Sequence, residues 1–91
     1  MRQEQAEVVA LRALEWLVGA ELLDTFQATT GAERAQIVAA AEDADFLGAV
    51  LDFILMQDDW VEGACAAQSL PYDRLLAARA ALPGGNLPHW T

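Results

Sequence analysis

Seven carboxylates stand between positions 42 and 62: Glu42, Asp43, Asp45, Asp52, Asp58, Asp59 and Glu62, with no base between Arg34 and Arg74. Such a run can hold a hard cation, move a proton, or meet a cationic partner. The cation reading lacks its spacing, since no Asp-x-Asp-x-Asp-Gly loop ending in Glu is present. Asp43, Asp45, Asp58 and Asp59 fall where helices would begin, and acids there cap orphan donors and favour the macrodipole without any metal. His89 is the only histidine and Cys65 the only cysteine, so one chain cannot assemble a zinc-type ligand set. Neither Ser69 nor Cys65 has a histidine nearby in sequence, and no Gly-x-Ser-x-Gly elbow occurs. The chain contains no lysine and no glycine-rich phosphate loop, which removes a Walker motif. Cys65, set among alanines, reads as a small apolar core residue, and a lone cysteine excludes an intramolecular disulfide. No cofactor and no metal are expected.

Two residues keep more than one reading open. Asp52 interrupts Val50-Leu51-Asp52-Phe53-Ile54. It either marks a thin solvent stripe, or pairs with Arg12, Arg74 or Arg79 as a carboxylate withdrawn from water must, or serves as an acid catalyst. Trp90 follows Pro88-His89 and either folds back on the protein or offers an aromatic anchor to a partner. Trp16 and Trp60 lie on inward faces. The candidate partner-binding residues are therefore Asp45, Asp52, Asp58, Asp59, Glu62 and Trp90.

The elements that must position these residues are helices. Nineteen alanines and thirteen leucines favour helix, and no stretch alternates long enough for a strand. The apolar spacing predicts a first helix over about 3–18, with Ala6, Val9, Ala10, Ala13, Leu14, Trp16 and Leu17 inward. A second covers about 21–29, with Leu22, Leu23 and Phe26 inward, and Gly31 ends it. Thr30-Gly31-Ala32-Glu33 fits a capping box for a third helix over about 32–41, whose bulk comes from Ile37 and Val38. Asp43 caps a fourth over about 44–57, apolar on nearly every side except for Asp45, Gly48, Ala49, Asp52 and Met56; such a helix belongs in the middle of a bundle. Asp58 or Asp59 starts a fifth, to about 68, with Trp60, Val61, Ala64 and Cys65 inward. Ser69 or Leu70 opens a sixth, with Pro71 in its first turn, and Pro83-Gly84-Gly85 stops it. The order long, short, short then repeats: a shift of 38 lays 6–41 over 44–79, with five identities, four of them alanine. Matched hydropathy is compatible with a duplicated three-helix unit or with ordinary helical periodicity.

Leu14-Glu15-Trp16-Leu17, Glu21-Leu22-Leu23, Phe26 and Thr30-Gly31 resemble the opening of a family of short bacterial proteins catalogued as a domain of unknown function. The likeness continues through Asp43-Ala44-Asp45-Phe46-Leu47, Ala49 to Leu55 and Asp58-Asp59, and into Arg79 to Gly85. Its more specific parts are Leu51-Asp52-Phe53 and Leu82-Pro83-Gly84-Gly85. The family more often has proline at the place of Ala44, and Gly-Leu-x-Pro turns where this chain has Thr30-Gly31-Ala32-Glu33 and Ser69-Leu70-Pro71; these departures touch helix starts. The resemblance implies no reaction, ligand or active-site residue.

The whole chain, 91 residues with 55% hydrophobic and 21% charged residues, reads as one all-α domain: a compact bundle of five or six helices over 1–85, with a C-terminal tail at 86–91. A net charge of -9 argues against nucleic acid and against an anionic membrane surface. The apolar stretch from Phe46 to Met56 is too short to cross a bilayer, and the first residues carry no secretory pattern, so a cytoplasmic location is expected. The function these features favour is a non-catalytic protein-interaction module whose acidic face meets a basic partner. The alternative is a small enzyme or ligand-binding domain with a cleft lined by Asp52. A homodimer is expected as well, through a spare apolar face on the first helix around Val8, Leu11 and Val18.

Overall fold

A computed structural model describes residues 1–84. Six helices form: α1 (Gln3–Gly19), α2 (Leu23–Thr30), α3 (Arg34–Val38), α4 (Ala44–Ile54), α5 (Asp58–Gln68) and α6 (Tyr72–Ala81), with a 3₁₀ turn at Ala40–Glu42 between α3 and α4. No strand occurs among the described residues. The protein is an all-α bundle of nearly equal extent in every direction, 28 × 27 × 26 Å.

The two central helices earn their places differently. α4 buries Phe46, Leu47, Gly48, Val50, Leu51, Phe53 and Ile54 of its eleven residues, because its apolar residues run almost all the way round. Leu51 and Ile54 are both 0% exposed, as that pattern requires. α1 packs against α4, α5 and α6 through a face that includes Ala6, Ala10 and Ala13, all fully buried. Alanines one turn apart let the neighbouring backbones approach closely, with Leu14 and Leu17 filling the far end.

The aromatic residues join the elements. Phe26 from α2 meets Phe46 and Phe53 of α4 edge-on, with ring centroids 5.7 and 5.2 Å apart. Phe53 in turn stacks on Trp60 of α5 at 4.5 Å. These are the offset and T-shaped arrangements that the ring quadrupole favours. The Trp16 indole lies over Gly63 on α5, where a Cβ would collide with it. Trp16 and Trp60 both pack on the core and remain partly exposed.

Several helix ends differ from the sequence expectation, each for a local reason. Thr30 does not open a capping box toward Glu33. Its hydroxyl donates back to the Phe26 carbonyl at 2.7 Å and accepts from the Ala32 N–H. Gly31, at φ 75°, ends α2 in the left-handed conformation as expected, and α3 starts only at Arg34, with the Glu33 N–H donating to the Gln36 side chain. α3 then lasts five residues, so Val38 turns outward. α2 starts at Leu23 because Glu21 takes φ 63°, which breaks the helix. α4 ends at Ile54, where Met56 and Gln57 tighten onto Phe53 and Ile54 with i→i+3 bonds. Ser69 closes α5 in the left-handed region, and Pro71 stands at the N-cap of α6. Asp43 caps α4 as expected, accepting from the Phe46 N–H at 3.1 Å. Helix lengths in the two halves are 17, 8 and 5 against 11, 11 and 10, so the long-short-short order is not repeated.

Candidate functional site

Asp52 resolves into a definite geometry. The Arg79 Nε donates to one carboxylate oxygen at 2.5 Å and Nη2 donates to the other at 2.9 Å. Of the three arginines that the sequence left open, Arg79 is the partner. The Asp52 side chain is nonetheless 58% exposed, against 15% for Arg79, so the residue is at once a surface acid and an ion-pair member. Arg79 also donates through Nη1 to the Pro83 carbonyl at 3.0 Å. Its guanidinium lies across Gly48, where a Cβ would come within 2.9 Å of Nη1 and 3.3 Å of the Pro83 oxygen. Gly48 is therefore buried under Arg79 instead of forming part of a wet stripe. The unit fastens the turn after α6 to the middle of α4, a structural role that uses both carboxylate oxygens.

Asp52 lines neither of two grooves formed by the described residues. The cleft expected around it is thus not among them. The larger groove, about 420 Å³, lies between α5 and the start of α6 and is lined by Asp58, Val61, Glu62, Cys65 and Tyr72. The first four fall at i, i+3, i+4 and i+7 of one helix, which places them on one face. Val61 and Cys65 are buried and form the floor, Asp58 and Glu62 are exposed at the rim, and Tyr72 is 54% exposed. Among the described residues neither rim carboxylate has a hydrogen-bond or ion-pair partner in another side chain. Burial raises the Cys65 thiol above its ordinary value of 9.0, which keeps it protonated and unreactive at neutral pH. The smaller groove, about 300 Å³, runs from Thr30, Gly31, Ala32 and Gln36 to Asp43, Asp45, Phe46 and Ala49.

The candidate residues are thereby distributed. Asp58 and Glu62 share the α5–α6 groove and Asp45 borders the other groove. Asp59 stands exposed beside Asp58 in the first turn of α5. Trp90 lies outside the described residues. Tyr72 escaped the sequence reading: it follows Pro71 in the first turn of a helix, and periodicity does not show which neighbouring helix that turn faces. No group of three or more His, Cys, Asp or Glu side chains able to hold a metal occurs among the described residues. No helix there is long and apolar enough to cross a membrane.

Fold and surface together define a small all-helical domain with an acid-rimmed groove. The chain belongs to the family described as protein of unknown function DUF3572, whose model matches residues 3–85. No curated protein and no solved structure matches it.

Proposed function

We propose that the protein is a non-catalytic interaction module that docks a basic partner protein on its acidic side, using Asp45, Asp58, Asp59 and Glu62. The observation that carries this reading is that all four acids are exposed while the one ion pair among the described residues, Arg79–Asp52, joins other groups. No arginine lies between Arg34 and Arg74 to neutralise them locally. Unneutralised surface charge of one sign steers an oppositely charged partner and fixes its orientation. Among the described residues no polar or charged side chain is buried, so the two grooves gather no buried polar groups of the kind that supports acid–base or nucleophilic chemistry.

Photo-crosslinking in the source cell tests this reading. A photoreactive residue at Asp59 should capture a distinct protein carrying a basic patch, and the same residue at Thr25, exposed on α2, should not. Equal capture from both positions contradicts it.

A second reading concerns self-association. Val8 and Val18 on α1 are 50% and 47% exposed, with Leu11 partly buried between them. That stripe suits a two-fold contact with a second copy.

A further inference from the structure

We propose that the α5–α6 groove is the docking site for a short basic segment of a partner protein, which seats an apolar side chain on Val61, Cys65 and Tyr72 between two arginines or lysines that meet Asp58 and Glu62. The inference rests on the interaction reading above and names the place and the chemistry of the contact.

Three observations carry it. First, the groove is a shaped volume of about 420 Å³ with an apolar floor, and not simply a patch of acids. It is an open depression, of a size to take a side chain and not to enclose a ligand. Second, its charged rim is single-signed: Asp58 and Glu62 stand one helical turn apart on α5, and no arginine lines the groove. Two carboxylates at that spacing match two cationic side chains flanking a central apolar one, and arginine forks add bidentate geometry. Third, Tyr72 leaves 54% of its surface open at the groove edge although it is one of the larger apolar bodies of the chain. An exposed tyrosine beside an apolar depression is the residue type that concentrates binding energy when a partner covers it. A second copy of this chain is a poor occupant, because it brings a net charge of -9 to an acidic rim. The thiol of Cys65 contributes as an apolar surface and takes no chemical part.

The experiment is a titration of the full, isotopically labelled chain, followed by NMR, with three synthetic helical peptides of equal length at low salt. One alternates arginine and leucine faces, the second replaces leucine by glutamine, and the third replaces arginine by glutamate. The Arg/Leu peptide should move the resonances of Val61, Cys65 and Tyr72 and bind about tenfold tighter than the Arg/Gln peptide, while the Glu/Leu peptide does not bind. Tyr72→Ala, at a position 54% exposed, should weaken the Arg/Leu peptide by about tenfold, and Asp24→Asn, at an exposed acid of α2 outside the groove, should leave it within about twofold. Equal binding of the Arg/Leu and Arg/Gln peptides, with shifts spread over Asp45 and Asp59 and none at Val61, overturns the groove assignment and leaves the acidic-side reading standing. Absence of binding by both cationic peptides overturns the two together.

Discussion

Arg79 shows how one side chain can serve several ends. Three of its donors are used, two on Asp52 and one on the Pro83 carbonyl. Gly48 lies beneath because any larger residue would push the guanidinium away. Exposed ion pairs contribute little, and Asp52 is largely in water, but bidentate geometry with the arginine mostly buried raises the interaction above the median. A double-mutant cycle of Asp52→Ala and Arg79→Ala should give a coupling of about 0.5–1.5 kcal/mol in denaturant titration; additive effects would remove the latch. Cys65 makes a second prediction. Its folded-state thiol titrates above 9.0 because burial disfavours the thiolate, so the unfolded chain gives up this proton first. The stabilising contribution is complete below the ordinary value and declines as pH rises from there through the folded value. Stability curves measured between about pH 8 and pH 11 should therefore fall more steeply for the native chain than for Cys65→Ala. Parallel curves would mean that the thiol is not withdrawn from water.

Helix existence was readable from periodicity, and helix ends were less so. The apolar wrap of α4 placed it at the centre, and Asp43 and Gly31 marked a start and a stop through their own side-chain and backbone chemistry. The misplaced ends came from residues whose backbone state is set by their neighbours in the fold. Glu21 and Ser69 both take positive φ without being glycine, a conformation that carries no composition signal of its own. Gly48 looked like part of a solvent stripe because the side chain that covers it comes from α6, thirty-one positions further along. Likewise Asp58 and Glu62 were visible as acids, yet their joining into a groove required Tyr72 from another helix. The left-handed Ser69 that closes α5 gives a prediction at this scale. A β-carbon in that region costs about 1–2 kcal/mol, partly offset by the extra unfolded-state freedom of glycine. Ser69→Gly should raise stability by about 0.5–1 kcal/mol in chemical denaturation, and a loss of similar size would show that the turn is unstrained.

As a whole, the molecule turns its apolar residues inward and keeps its acids outside. Alanine-lined contacts of α1 and the aromatic chain from Phe26 to Trp60 hold the core, while the acids of α4 and α5 stay in water. The half-exposed stripe of Val8, Leu11 and Val18 predicts concentration-dependent association in sedimentation, abolished by Val8→Glu with Val18→Glu; a monomer of 9.8 kDa at all micromolar concentrations would leave α1 without that role. The acidic side carries the central claim, and the salt dependence of binding tests it most directly. The affinity for the partner captured at Asp59 should fall steeply from low to physiological ionic strength, and Asp58→Lys with Glu62→Lys should both weaken binding and flatten that dependence. An affinity that is unchanged by salt and by the two charge reversals would contradict the account.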